Sequence, residues 1–464
     1  MTLYDEVEYP SRSFNQTHPE RAAAIGTLLG MSPPAPATCR VLDVGCGSGW
    51  NLIPMAGGLP AARFVGFDLA TSAIDSAKRD AAALGLTNVR FEQLDLMDFP
   101  KELGQFDYII AHGFYSWVPP PVRLKLLDIC RKHLSPEGFA FISFNANPYG
   151  RLRRMWRDMM LYHADQFSHA NAQQRLAGSE ALLKTLRDQW TRKTPLRFHA
   201  KLLEGQIGSI QSGGGNWFFH DDLGPFFELF SITEFSREIA PFGLQFGAEA
   251  LFENLLPEAL PESGDDWIVR EQNWDNLVFR GFHSSLICHQ EVALQRPPSG
   301  YEKLRFAAPL TRVSATVFRN DWTTSEAESD DPATLAVLQQ IAEAWPDSLA
   351  FDQLNATPAM LQDLTLANVV EPCVTARHLP HGDPHTSITA SPTAWAPARL
   401  QAQRGKVVTN RLHAAIQLEQ EPLRHLVIGL DGTRPLLEFQ HLFTSRQALL
   451  EQLLWLHRAA LIQS

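Results

Sequence analysis

The chain has 464 residues, 45% of them hydrophobic and 10% aromatic, which is ample for packed interiors and too long for one core, so two or three domains are expected. A formal charge of −11 argues against nucleic acid as a partner, because neutralising phosphates needs a basic surface. With no apolar run of about 18 residues and an acidic Met1–Tyr9 lacking an apolar centre, neither a membrane span nor a signal peptide is expected; five dispersed cysteines without a C-x-x-C pair read as reduced thiols of a cytoplasmic protein, with no metal framework.

From residue 40 short apolar strands alternate with helical stretches. The strands expected are Arg40–Val44, Arg63–Phe67, Val89–Gln93, Phe106–Ala111 and Gly138–Phe144, with helices near 50–58, 72–85 and 121–134. Such a βαβ series predicts an α/β fold, a parallel sheet covered on both faces, with ligands seated outside the carboxyl ends of the strands. A helical insertion follows at 151–205, then a strand at 216–223, a helix at 232–241 and a strand within 243–250, which places the end of the sheet near 255. Residues 256–300 read as a connector and 301–464 as a C-terminal α+β domain. Its expected helices lie at 333–345, 356–369, 396–405 and 446–461, and its strands at Val407–Asn410, Ala414–Leu418 and His425–Leu430. Helices followed by a small β-wing suggest a winged-helix-like module.

The first strand runs into Asp43-Val-Gly45-Cys-Gly47-Ser-Gly49-Trp50. Glycines let backbone N–H groups approach a ligand with no Cβ in the way, and the following helix N-terminus favours an anion. A dinucleotide fingerprint would place its third glycine at position 50, which is Trp. G-x-G-x-G preceded by Asp43 instead suits S-adenosylmethionine (SAM), which has no pyrophosphate to seat. The second strand ends in Asp68-Leu69, about twenty residues on, where an acid reaches ribose hydroxyls. After the third strand come Asp95-Leu96. Asp95 is preferred over Asp98 for accepting from an adenine amino group. Asp43 either orders the glycine loop or meets the ligand's ammonium.

Beyond this signature lie longer matches: Tyr4-Asp-Glu-Val with Tyr9, Phe14 and Thr17-His18-Pro19; Asp107-Tyr-Ile-Ile-Ala-His112-Gly-Phe114-Tyr115-Ser-Trp117-Val-Pro119; Arg157-Asp-Met-Met-Leu-Tyr-His163; Phe219-His-Asp-Asp-Leu223; Val408-Thr-Asn-Arg-Leu-His413; and Leu430-Asp-Gly-Thr-Arg434. Together they resemble the class I SAM-dependent methyltransferases that carry a methyltransferase regulatory domain, a group including the rickettsial-type lysine methyltransferases of outer-membrane proteins. The resemblance spans nearly the whole chain. It implies a Rossmann-like sheet, SAM as cofactor, a protein lysine as acceptor, and a homodimer formed through the helical insertion. Small-molecule N- or O-methyl transfer and a non-catalytic SAM sensor are the alternatives.

Methyl transfer from a sulfonium is an in-line displacement that needs alignment and exclusion of water, helped by aromatic rings around an amine. Tyr115 and Trp117, after the fourth strand, are therefore expected in the acceptor channel. His112 reads as a base or SAM donor, or else as a packed histidine. Tyr4, Tyr9, Phe14 and His18 form either a lid over the cofactor or an arm packed on the sheet. Arg151, Arg153, Arg154 and Arg157 read as a solvated or intersubunit face, and the histidines from His378 to His385 as a loop. Asn147-Pro-Tyr149 follows the fifth strand, so its likeness to the motif of amino-methylating DNA enzymes is mimicry. Relatives usually carry Tyr-Asn-x-Tyr-Pro-Gly-Trp there and a small residue where Trp50 stands; both departures are expected near the cofactor or acceptor entrance.

Overall fold

The computed structural model describes residues 11–166, 172–213, 220–256, 264–383 and 385–463. Tyr4, Tyr9 and residues 216–219 of the expected strand lie outside these.

The centre is a seven-stranded sheet: β1 (Arg40–Val44), β2 (Arg63–Asp68), β3 (Val89–Gln93), β4 (Phe106–Ala111), β5 (Leu134–Asn145), β6 (Leu244–Glu249) and β7 (Phe282–His289), ordered β3-β2-β1-β4-β5-β7-β6. All neighbouring pairs are parallel except the two that β7 makes. Residues 41–44 of β1 are buried without alternation, as expected of a strand covered on both faces. The sheet thus ends at His289 and not near 255. The stretch expected as a connector contributes the helix Trp267–Leu277 and the strand β7, which wedges between β5 and β6.

One face of the sheet is covered by the helices Pro19–Leu28, Leu52–Gly58 and Thr71–Ala83. Their buried residues share a core with Tyr301, Phe306, Val337, Ile341, Leu361 and Val370. The other face carries Pro120–His133 and Ile232–Ile239 over Tyr115, Phe144 and Phe246. Residues 394–462 gather around a separate core of Trp395, Leu426, Leu453 and Leu456, so the stretch 301–464 divides between two cores.

The insertion is three helices, Gly150–Asp165, Ala172–Arg192 and Arg197–Gly213, packed through Trp156, Met160, Leu183 and Leu203. It therefore runs past residue 205. The described part of the expected strand 216–223, from His220 to Leu223, is a helical turn. His425–Leu430 is not a strand either. It belongs to the helix Glu421–Gly429, where Pro422 starts the first turn and Leu423, Leu426, Val427 and Leu430 bury one face at helical spacing. Of the basic residues 153, 154 and 157, the first and last are partly buried and Arg154 is exposed, and each is bonded within the chain. Arg153 grips Asp222 with bonds of 2.7 and 3.0 Å, Arg154 donates to the Phe227 carbonyl, and Arg157 to that of Gly224. They fasten the insertion's first helix to the segment leading into Ile232.

Candidate functional site

A cavity of about 330 Å³ opens at the carboxyl ends of β1 to β4, within the usual size range of small-molecule sites. Asp43, Gly45, Gly47, Asp68, Leu69, Asp95, Leu96, His112, Trp117 and Phe14 all line it, so most of the residues expected from sequence converge there.

The glycine turn is shaped by the second strand. Gly45 and Cys46 donate their N–H groups to the Phe67 carbonyl (2.9 and 3.1 Å), while Gly47 donates to Asp68 Oδ2 at 2.9 Å and Ala70 to Oδ1 at 2.9 Å. Two backbone donors thus orient the Asp68 carboxylate at the cavity wall. At Gly45 the φ is +72°, and a Cβ would stand 2.9 Å from the Phe114 ring. Gly49 plays a different part from the one expected. It is absent from the cavity lining, and a Cβ there would meet Phe91 Cζ at 2.6 Å, so its role is to let the helix after the turn close onto β3.

Asp43 is buried, and burial with the Asp68 charge nearby pushes its carboxyl up to about 7, against the pull of Asn51. Asp95 Oδ1 accepts from the Met97 N–H at 2.9 Å, holding the acid at the cavity rim, whereas Asp98 is not in the lining. Three carboxylates around one cavity suit a ligand that carries a sulfonium, an ammonium, a diol and an exocyclic amine. The residues fit SAM.

Just past the end of β4, His112 meets the Phe14 ring in an edge contact, with centroids 3.9 Å apart, and pairs through Nδ1 with Ser143 Oγ at 2.9 Å. Burial, aided by Arg12, pushes its pKa down to about 3, so the imidazole is neutral at physiological pH. Trp117 donates its indole N–H to the Asp221 carbonyl at 3.3 Å. Tyr115 leaves the site altogether. It is fully buried among Phe144, Phe230 and Phe235, where burial and Glu238 keep its hydroxyl protonated. The turn Tyr115–Trp117 sends residues two apart to opposite sides.

Phe14 lies over the cavity, as the lid alternative requires, but His18 does not. The His18 Nδ1 accepts from the Glu20 N–H, capping the helix Pro19–Leu28, and its ring is 5.3 Å from that of His413. The Trp50 side chain is buried beneath the Arg404 guanidinium, 5.8 Å away, while its backbone N–H donates to Ser11 Oγ of the cavity lining at 3.2 Å. Sequence reasoning missed Ser11, Arg12, Asn51, Ser72 and Asp221 in the lining. Asn51 directly follows the glycine turn, which was signal enough. Asp221 sits in a quoted motif that the apolar flanks disguised as a strand.

Residues 41–138 match the family described as methyltransferase domain. The chain is 32% identical over 376 residues to the uncharacterized protein RP789 of Rickettsia prowazekii, covering 76% of this chain and 67% of that one. It is 36% identical over 223 residues to RP028 of the same organism, covering 48% of this chain and 87% of the relative. The structure of PKMT2 from Rickettsia typhi superposes with a TM-score of 0.82 over 98% of this chain and 100% of that one at 23% identity, and its complex with AdoHcy at 0.80. Taken with the carboxylate-lined cavity at the ends of β1 to β4, these likenesses establish that the chain belongs to the SAM-dependent methyltransferases, in the family it shares with the R. prowazekii proteins.

Proposed function

We propose that the acceptor is an amine, the side chain of a protein lysine. The observation that carries this reading is a second, larger cleft of about 860 Å³, bounded by residues 12–16, the segment 251–253, and residues 307–323, 368–371, 412–417 and 455–459. Arg12 and Phe14 line both this cleft and the cofactor cavity, so the two spaces meet at the N-terminal segment. This cleft joins the cofactor cavity and is bounded by segments far apart in the chain, which leaves room for the residues that flank a lysine in a polypeptide. The likeness to rickettsial-type lysine methyltransferases, and the fold shared with PKMT2 over nearly the full chain, favour the same acceptor.

SAM supplies the methyl group. In this reading Asp68 takes the ribose hydroxyls, Asp95 the adenine amino group and Asp43 the ammonium, with Leu69 and Leu96 against the base. Phe14, His112 and Trp117 shape the passage along which an amine approaches and keep water out of it. His112, neutral, acts as a hydrogen-bonding group and not as a charged one.

Exposed Tyr162 and Phe198 on the insertion helices support a homodimer through that region. The helix Ala396–Arg404, the hairpin Val407–Thr409/Ala415–Gln417 and the helices after it support the winged-helix-like reading. Five buried, unpaired thiols favour the cytoplasm. Among the described residues no helix is long and apolar enough to cross a membrane.

Turnover of methyl-labelled SAM on a cell lysate tests the proposal. Label on protein lysines is expected. Label only in extractable metabolites returns the small-molecule reading, and SAM binding without turnover returns the sensor.

A further inference from the structure

The stretch Val408-Thr-Asn-Arg-Leu-His413 does not itself line the cofactor cavity, yet it reaches one of the residues that do. Asn51, 6% exposed, is a junction. Its Oδ1 accepts from the Phe14 N–H (3.2 Å), from Thr17 Oγ1 (3.0 Å) and from His413 Nε2 (3.1 Å), while its Nδ2 points to Asp43 Oδ2 at 3.5 Å. The Phe14 N–H can only donate, which fixes the orientation of the amide and requires the proton of His413 to sit on Nε2. His413 Nδ1 is buried and has no partner among the described residues, so the imidazole is neutral and serves Asn51 alone.

The loop that delivers His413 is rigidly made. Asn410 accepts from the N–H groups of Leu412 and Ala414 and donates through Nδ2 to the Ala459 carbonyl. His413 itself has φ +61°, a left-handed conformation that a non-glycine side chain adopts only when its surroundings impose it. Thr409 Oγ1 meets Ser13 Oγ at 2.8 Å and is in turn bonded by Gln401. The hairpin of the C-terminal unit therefore grips the N-terminal segment at Ser13 and its anchor Asn51 at once.

We propose that His413 is a positioning residue for the cofactor site: through Asn51 it holds Phe14 and Asp43 in place, so that cofactor binding and the seating of the C-terminal hairpin are one coupled equilibrium. Linkage makes the coupling reciprocal. Bound cofactor tightens residues 410–414, although none of the five lines its cavity.

Titration calorimetry of the full chain with S-adenosylhomocysteine tests this in His413→Leu, His413→Gln and Arg404→Leu. The last breaks the ion pair to Asp80, a separate bond between the C-terminal unit and the helix Thr71–Ala83 that covers the sheet. His413→Leu is expected to weaken binding about tenfold, and His413→Gln, which restores an N–H donor, to recover it to within about threefold. Arg404→Leu should stay within about threefold of the parent. Unchanged affinity in the Leu variant, no recovery with Gln, or an equal loss in Arg404→Leu overturns the proposal. A measurement independent of any variant is hydrogen exchange at residues 410–414 in the native chain. Slowing of about threefold or more by the ligand is expected, and no slowing overturns the coupling.

Discussion

Two groups of acids sit along the same edge of one sheet and do opposite work. At the β1–β3 side Asp43, Asp68 and Asp95 line a cavity. At the β6–β7 side Glu249 is closed off. Its oxygens take His283 Nδ1 at 2.8 Å, the Ser284 N–H at 2.9 Å and Ser285 Oγ at 2.9 Å, and His283 Nε2 passes to Asp275, which Arg280 also holds at 2.6 Å. None of Glu249, Asp275 and His283 is exposed. Glu249 is drawn down to about 2, against its burial, by His283 and Arg280, and His283 is raised to about 9 by Glu249 and Asp275. A buried carboxylate closed off by its neighbours is structure; one that lines a cavity is the candidate for binding.

That contrast can be broken experimentally. The largest effect belongs to His283→Phe, which leaves two buried carboxylates short of their counter-ion and should cost about 3–5 kcal/mol in urea unfolding. A loss under about 1 kcal/mol would show that the cluster is not what holds β7. The cluster also predicts a stability profile. The raised His283 contributes fully below its unfolded pKa of 6.5, and that contribution is lost as pH climbs through about 9; the depressed Glu249 contributes above 4.5 and is lost as pH falls through about 2.

On the cavity side Asp68→Ala should weaken S-adenosylhomocysteine binding by about 2–3 kcal/mol, the worth of charge-assisted hydrogen bonds, and retained affinity would refute the ribose assignment. Asp43, near 7 before a cation arrives, must lose its proton to pair with the ammonium. Affinity should therefore fall by up to about tenfold per pH unit below 7. In Asp43→Asn that dependence should vanish; a profile of equal slope in the variant assigns it to another group. The smallest effect expected is from Tyr115→Phe. Because this tyrosine packs in the core, turnover should stay within about twofold. A loss beyond tenfold would return it to the reaction centre.

The parallel half of the sheet was legible because β1, β2 and β4 are short, mostly apolar runs and β3 alternates Val89 and Phe91 with polar residues, patterns that need no tertiary information. The acids that line the cavity follow from it by position, Asp43 within β1, Asp68 at the end of β2 and Asp95 two residues past β3. The strand β7 was not legible. Its Phe-His-Ser-Ser start is polar, and burying it is tolerable only because Glu249 and Asp275, from elements 34 and 8 residues away in sequence from His283, satisfy it. His425–Leu430 was misread because a short apolar run has no period of its own.

The amino-acid sequence by itself determined the βαβ order, the cofactor and the three acids that line the cavity, since each is local: a strand, the glycine turn after it, and an acid in or just past the strand. Which aromatic of the Tyr115–Trp117 turn faces the site, that Gly49 serves packing, that Trp50 lies under Arg404, and that His413 reaches Asn51 from 362 residues away were decided only by the tertiary structure. Those facts concern the direction of a side chain, and direction is set by whichever neighbours the fold brings against it.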